Sequence, residues 1–494
     1  MFNFFKKTNG RNTHGHAKRP FYITTTLPYV NSDPHVGFGM EIVRADIIAR
    51  YKKLIGHEVF FNTGTDEHGI KIYRKALENG KTPQEYVNEY AEKFKKLMPV
   101  LNISNDVNFI RTTDVRHMRA AQEFWKLCDK NGDIYKKNYK VKYCVGCELE
   151  KTESELVNGR CPLHPMTELE IIEEENYFFR FSKYQKRLLD LYKKNPKFVV
   201  PEGRMGEIRA FVERGLEDFS ISRLASKMPW GIPVPGDDRQ VMYVWFDALV
   251  NYISAVGWPT DMEQFQKWWV TSGGVVQYCG KDNLRQQSAM WQAMLMSAGL
   301  TPSQTIVIDG FITSGGKKMS KSEGNVINPV AVVEEFGVEP FRYFVARELH
   351  PFEDGDFTME KFKDAYNSHL ANGLGNLVSR IMKMAETNLP GPVSVRKNML
   401  PKNFTDALDQ FDIKKATDIV WEKIGVLDAK IQETEPFKLV KTDKVRAVSI
   451  ITELVIELYS VGCMLAPTLP ETSKNILELV TTNKTPSAPI FLRR

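Results

Sequence analysis

Hydrophobic and polar positions alternate along the chain in blocks of two different periods. Phe21-Tyr22-Ile23-Thr24-Thr25-Thr26 is β-branched and aromatic and predicts a first strand. The turn-forming run from Leu27 to Pro34 ends it. His35-Val36-Gly37-Phe38-Gly39 then opens a periodic segment over 40–54, with Ile42, Val43, Ile47, Ile48 and Tyr51 on one helical face. Glu58-Val59-Phe60-Phe61 reads as a second strand, and helices are expected over 83–98 and 115–130. A strand at 176–181, helices at 183–195 and 203–215, and a strand over 241–248 running into a helix with Tyr252 follow. Val275-Val276-Gln277-Tyr278-Cys279, a helix over 285–297 and a strand at 305–308 complete the series. Strands alternating with helices indicate α/β architecture around a parallel sheet. Its two halves, 21–115 and 236–325, are split by an insertion, 116–235. Past a connecting region, 326–358, the period becomes helical at 359–386, 404–433, 443–463 and 471–480, which predicts a helical bundle over 359–494.

Bulk composition adds little to this picture. The 494 residues suffice for two to four domains, and 67 basic against 61 acidic residues leave a net charge of +6, so any polyanion face must be a local patch. No run of about 18 apolar residues is present, and no membrane association is expected. Residues 1–20 carry Lys6, Lys7, Arg11, Lys18 and Arg19 without an acid and read as a disordered basic arm. Six cysteines are too few for a disulfide framework at this length, which points to a reducing, cytoplasmic setting.

Four of the potential ligands are spaced as a metal knuckle. Cys144-Val145-Gly146-Cys147 and Cys161-Pro162-Leu163-His164 are separated by thirteen residues. Three thiolates and one imidazole can converge on a tetrahedral zinc, and four protein ligands leave no open position, so the metal is expected to be structural. Cys128, Cys279 and Cys463 lack such partners and are expected to be buried.

Polar residues gather where strands end. His35 and Gly37 stand at a predicted helix start, where free N–H groups suit phosphate; a simple helix cap fits them as well. Gly64-Thr65-Asp66-Glu67-His68-Gly69 closes the second strand, and its acids suit a cationic group or a polar turn equally. Gly315-Gly316-Lys317-Lys318-Met319-Ser320-Lys321-Ser322 follows the last strand as a flexible cationic loop, which strand-end geometry places where open α/β sheets bind nucleotides. Asn376 and Arg380 share a helix face.

Taken together these motifs resemble the methionyl-tRNA synthetase family over essentially all of 21–494. The points of resemblance are Leu27-Pro28-Tyr29 with His35-Val36-Gly37, the Gly64–Gly69 stretch, the Cys/His knuckle, Val244-Trp245-Phe246-Asp247-Ala248, Gly280-Lys281-Asp282, the Lys-Met-Ser-Lys-Ser loop and the Asn-Ser-His-Leu stretch from Asn367 to Arg380. The resemblance implies a split Rossmann-like catalytic domain with a zinc-bearing connective insertion, followed by an all-α anticodon-binding domain. It also implies ligation of methionine to tRNA(Met) through a methionyl-adenylate, with magnesium accompanying ATP. His35, Lys318 and Lys321 would be the catalytic residues. His35, Gly37, Gly280, Asp282, Gly310, Phe311 and Ile312 would meet ATP with the two lysines. Leu27, Tyr29, Asp66, Trp245, Ala248, Tyr252 and Gln287 would hold methionine, and Asn376, Arg380 and Phe437 would read the anticodon.

Departures from the family pattern are Phe38 in place of the second histidine of the first signature, Asn283 and Gln287 after Gly-Lys-Asp, and Phe437 in place of a tryptophan. A chain ending at Arg494 is expected to be a monomer. Two other readings use the same residues: a class I synthetase for another apolar amino acid, and a tRNA-binding protein with impaired chemistry.

Overall fold

The computed structural model describes residues 18–147, 149–151, 153–319, 325–396 and 399–494. Six strands form one parallel sheet: β1 (Pro20–Thr25), β2 (Glu58–Thr65), β3 (Asn108–Arg111), β4 (Val199–Val200), β5 (Val275–Gly280) and β6 (Thr305–Asp309). Their order is β3-β2-β1-β5-β6-β4, with Ile23 beside Phe61 and Val276 and with Val307 beside Val200. A parallel sheet needs both faces covered. Alternate residues divide accordingly: Ile23, Val276 and Val307 join one apolar core, while Tyr22, Val275, Ile306 and Ile308 join the other.

The sequence places β4 inside the insertion, yet it forms an edge of the main sheet through Val199 and Val200. A short apolar pair carries no period, so it reads equally as helix flank or strand. The strand expected through Ala248 is shorter than predicted. It stops at Met242 and pairs antiparallel with Ser222–Leu224, outside the main sheet. A helix, Val244–Leu249, starts after Tyr243. The insertion also carries an antiparallel sheet built on Ile134–Cys144 and Glu170–Phe179, together with the helices Val115–Lys130, Gln185–Lys194 and Glu202–Glu213.

The helix Val36–Leu54, here α1, lies against the sheet with Ile42, Val43, Ile47 and Ile48 fully buried. It also buries charge. Asp46 pairs with Arg342 at 2.8 Å and with Arg50 at 2.7 Å. Arg342 in turn donates to the carbonyls of Leu101, Pro467 and Thr468. One guanidinium therefore ties the sheet domain to the bundle.

The bundle runs through Met359–Ala365, a wide helical stretch Tyr366–Gly375, Asn376–Asn388, Lys402–Asp409, Ile413–Thr434, Lys444–Leu465 and Pro470–Thr482. The helix expected over 404–433 is broken at Phe411, which has a φ of 62°. Lys444–Leu465 has the length and apolarity of a membrane span, with a mean hydropathy of 1.7, but 61% of that stretch is buried among its neighbours. Glu453 and Glu457 interrupt its apolar run and pair with Lys430 and Lys423 of the adjacent helix. Cys128, Cys279 and Cys463 are buried, as anticipated.

Candidate active site at the sheet's carboxyl edge

A cavity of about 600 Å³ opens beyond the C-terminal ends of β1, β2, β5 and β6. It is lined by every residue expected to meet methionine, namely Leu27, Tyr29, Asp66, Trp245, Ala248, Tyr252 and Gln287. His35, Gly37, Gly280, Asp282, Gly310, Phe311 and Ile312 line it too.

Short-range pairing explains how the first wall forms. After β1 the chain turns at Pro28, and Tyr29 makes an isolated parallel bridge with Asp66. The Asp66 N–H donates to the Pro28 carbonyl at 3.0 Å and the Val30 N–H to the Asp66 carbonyl at 3.2 Å. Asp66 is thereby fixed, 8% exposed, beside Leu27 and Tyr29.

Opposite stands the helix carrying Trp245 and Ala248. Its Asp247 is buried between His68 Nδ1 at 2.6 Å and His117 Nε2 at 2.9 Å. Burial raises the carboxyl's pKa, but the two imidazoles outweigh it and hold the group below its usual range. His68 follows Asp66 by two residues, so this bridge fixes one wall of the cavity against the other. The same contact explains why 243–248 cannot continue as a strand: helical spacing is what aims Asp247 inward and Trp245 and Ala248 toward the cavity. The Trp245 indole N–H is buried without a hydrogen-bond partner among the described residues.

His35 is the N-cap of α1, and its Nδ1 accepts the Gly37 N–H at 3.1 Å. That bond assigns the tautomer, leaving the proton on Nε2. Protein crowding around the ring lowers its pKa although one side faces the open cavity, which favours the neutral form. A Cβ at Gly37 would lie 2.8 Å from the His35 ring, so glycine is what allows this cap. Phe38, where a second imidazole was the family expectation, is buried and packs edge-on against Phe94 with ring centroids 5.1 Å apart.

Gly310, on the cavity wall, is closely approached by backbone. A Cβ there would stand 1.9 Å from the Glu353 carbonyl oxygen. The neighbouring Phe311 N–H donates to Asp354 at 3.0 Å, and Lys281 pairs with the same carboxylate at 2.6 Å. Lys281 and Asp354 thus hold the strand Ile312–Ser314 in place; separated by 73 residues, they give no local sequence signal.

Sequence reasoning also missed two buried acids of the cavity wall, Glu41 and Asp309. Glu41 accepts from Thr26 N and Oγ1 at 2.8 and 2.6 Å, and burial raises its pKa to about 8. Asp309 lies 3.4 Å from Arg44, and burial lifts it to about 6 against that attraction. An acid next to the apolar positions Met40, Ile42 and Val43, and one closing the apolar run Ile306-Val307-Ile308, are the signals that could have found them.

The cationic loop begins as a hairpin in which Ser314 pairs with Lys317 and Thr313 with Lys318. Gly315 and Gly316 have φ of 63° and 73°, the left-handed pair that such a tight turn requires. The Gly316 N–H donates to Asp356 at 2.9 Å. Met319 reaches the cavity. The Lys318 side chain and all of Lys321 lie outside the described residues.

The four knuckle residues converge, all ligand atoms lying within 4.8 Å of one another. Cys147 Sγ is 3.4 Å from Cys161 Sγ and 3.2 Å from His164 Nδ1, and Cys144 Sγ is 3.8 Å from that nitrogen. Tetrahedral zinc with sulfur and nitrogen ligands has edges of about 3.5–3.8 Å, so the donor set fits. A Cβ at Gly146 would fall 2.3 Å from the His164 ring, which makes glycine part of the cradle. The knuckle is not remote: Cys147 lines the cavity, and Lys71 donates to the Gly146 carbonyl at 2.5 Å with its ammonium 5.7 Å from the Tyr29 ring.

A second cavity, about 510 Å³, lies in the bundle and brings together Arg380, Lys383 and Phe437. Arg380 is paired with Asp428. Asn376 is exposed one helical turn before Arg380 and does not line this cavity.

A family model described as tRNA synthetases class I (M) matches residues 21–168 and 150–382. The chain belongs to the methionyl-tRNA synthetases. Among its relatives, the methionine–tRNA ligase of Thermotoga maritima is 40% identical over 94% of this chain and 76% of its own length. The Brucella suis methionine–tRNA ligase is 39% identical over 94% and 92%. Mycobacterium tuberculosis methionyl-tRNA synthetase, solved in complex with methionyl-adenylate, superposes with a TM-score of 0.87 at 34% identity and covers 96% of this chain and 99% of its own. The likeness to this synthetase spans sheet, insertion and bundle alike.

Proposed function

We propose that this chain is a methionine–tRNA ligase that activates methionine with ATP and transfers it to the 3′ end of tRNA(Met). The observation that supports the reading is that one cavity is lined both by the residues expected to meet methionine and by residues expected to meet ATP. Asp66 pairs with the methionine ammonium, beside the Leu27 carbonyl. Tyr29, Trp245, Ala248, Tyr252 and Gln287 take the thioether chain, for which polarisable sulfur against aromatic rings is favourable. Gly280 and Asp282 hold the ribose, and the backbone of Gly310-Phe311-Ile312 meets adenine.

No side-chain nucleophile is required. The methionine carboxylate oxygen attacks the α-phosphorus, and the bond to the departing pyrophosphate breaks. Catalysis then rests on orientation and on stabilising charge that builds on the phosphates. His35 Nε2–H, Lys318 and Lys321 act as donors to that charge. Magnesium accompanying ATP shares it. Cys144, Cys147, Cys161 and His164 hold one zinc, whose closed coordination supplies structure and no chemistry. Asn376, Arg380 and Phe437 read the anticodon by base edges and stacking. In this reading the halves 21–115 and 236–325 make the catalytic unit, 116–235 the insertion, 326–358 the connection and 359–494 the tRNA-reading bundle, in a cytoplasmic monomer.

Amino-acid-dependent ATP–pyrophosphate exchange tests the proposal. Exchange with methionine is expected. Exchange with another apolar amino acid instead, or none at all, overturns it. Lys321→Ala is expected to leave methionine binding intact and to slow adenylate formation by about 10²–10³; equal loss of both would remove the lysine's assigned role.

A further inference from the structure

A file of neutral side chains leads from the back of the main sheet to the Tyr252 hydroxyl, and every bond in it runs one way. It starts at a donor whose direction is fixed. The Ser303 backbone N–H can only donate, and it donates to Gln292 Oε1 at 2.9 Å. The Gln292 amide is thereby oriented without ambiguity. Its Nε2 faces the Gln287 carbonyl at 2.7 Å and Ser303 Oγ at 3.1 Å. Ser303 Oγ, accepting there, gives its own proton to Gln277 Oε1. Gln277 must then turn Nε2 toward Gln287 Oε1, at 2.7 Å. Gln287 in turn presents Nε2 to the Tyr252 oxygen at 2.8 Å. All five side chains are buried, so no solvent can reverse a link.

Tyr252 ends the file at the cavity wall. Its oxygen is occupied as an acceptor, and among the described residues nothing takes its proton. Burial raises the phenol's pKa, so that proton stays on at any physiological pH.

We propose that Gln292, Ser303, Gln277 and Gln287 form a polarity relay that obliges the Tyr252 hydroxyl to donate into the amino-acid pocket, and so selects side chains carrying an acceptor atom at that depth. The thioether sulfur of methionine is such an atom; the methylene of norleucine, nearly the same shape, is not. Gln277 and Ser303 are positioning residues here, acting through Gln287 and Tyr252. The inference rests on the assignment of this pocket to methionine. Selection by the relay involves no ionisable group other than the tyrosine, so it is independent of pH through the neutral range.

The test is the ratio of kcat/KM for methionine over norleucine in ATP–pyrophosphate exchange. Tyr252→Phe sets the floor, expected about five- to tenfold below the unmodified chain, the scale of one neutral hydrogen bond. Gln277→Glu is the decisive variant. An ionised carboxylate only accepts, so Gln287 must flip to give it the amide N–H and turn Oε1 toward Tyr252, which then spends its proton inward. At pH 9 this variant is expected to fall to the Tyr252→Phe ratio while still activating methionine. At pH 6, where a protonated Glu can donate to Gln287 as the original amide does, part of the ratio is expected to return. Ser303→Ala serves if Gln277→Glu gives no cooperative melt: the backbone N–H still orients Gln292, but the Oγ link that passes this orientation to Gln277 is gone, the two orientations of Gln277 and Gln287 then have equal numbers of bonds, and the ratio is expected to drop about twofold. The relay is overturned if Tyr252→Phe leaves the ratio unchanged, or if it lowers the ratio while Gln277→Glu at pH 9, or Ser303→Ala in its place, does not. Methionine-dependent exchange in the unmodified chain tests the pocket assignment separately, so the two failures are distinguishable.

Discussion

Glu41→Gln should make this protein more resistant to unfolding at alkaline pH, and the gain should grow with pH. Glu41 sits in α1 with its carboxyl buried, held by two donors from Thr26 and no cation. Its pKa is raised from 4.5 to about 8, first because burial penalises the charged form, with Asp309 and Asp282 adding repulsion. Between those two values the native chain keeps a proton that the unfolded chain has already released. Unfolding in that window therefore sheds a proton, and rising pH favours it. The gap of roughly 3.5 pH units, at ~1.4 kcal/mol each, corresponds to roughly 5 kcal/mol of stability lost between pH 4.5 and pH 8, with no further loss from this group above. Glutamine keeps a carbonyl for Thr26 and never ionises. Denaturant unfolding of both chains, followed by tryptophan fluorescence at pH 5, 7 and 9 without ATP, measures the difference. Near equality at pH 5 and a gap of several kcal/mol at pH 9 are expected. A gap that stays constant across the series would refute the reasoning, since it would mean that Glu41 does not titrate between folded and unfolded states.

Other expectations test separate parts of the site. Gly310→Ala should raise the KM for ATP more than tenfold, because a methyl group cannot coexist with the Glu353 carbonyl 1.9 Å away; an unchanged KM would contradict the packing. Elemental analysis should find about one zinc per chain, and chelation should raise the methionine KM as well as lower the melting temperature, since Cys147 lines the cavity; a metal count of zero would remove the zinc assignment. Arg380→Ala should weaken tRNA(Met) charging by about 10-fold or more through KM while leaving ATP–pyrophosphate exchange unaffected, and equal loss in both assays would dissociate Arg380 from the anticodon.

Strand ends and glycines were legible in the sequence because their chemistry is local. Asp66, Gly280 and Gly310 each lie just past or at the end of a segment that reads as a strand, and the sheet brings those ends to one edge. The knuckle was legible because metal ligation fixes spacing. What the sequence concealed is non-local. Lys281 meets Asp354, Asp46 meets Arg342, and Asp247 meets two histidines from different segments. No period or spacing announces such pairs. The edge strand at Val199–Val200 was hidden for a different reason: two residues are too few to show alternation. Trp245 lines the cavity from a helix and not from the expected strand, because an apolar run of that length fits a buried helix as well as a strand.

The order of strands has a consequence during synthesis. β1 lies between β2, which follows it closely, and β5, which begins about 250 residues after β1 ends. At about 5–20 residues per second, a ribosome takes roughly 13–50 seconds to supply β5. Throughout that interval the nascent chain carries one side of β1 as an open ladder of amide and carbonyl groups, next to fully apolar neighbours such as Ile23 and Phe61. The insertion can fold in the meantime, but its Val199–Val200 strand must wait for β6 before it has anything to dock on. Newborn chains stalled or truncated between residues 112 and 274 should therefore be the ones that aggregate or recruit a holding chaperone, and full-length chains should not.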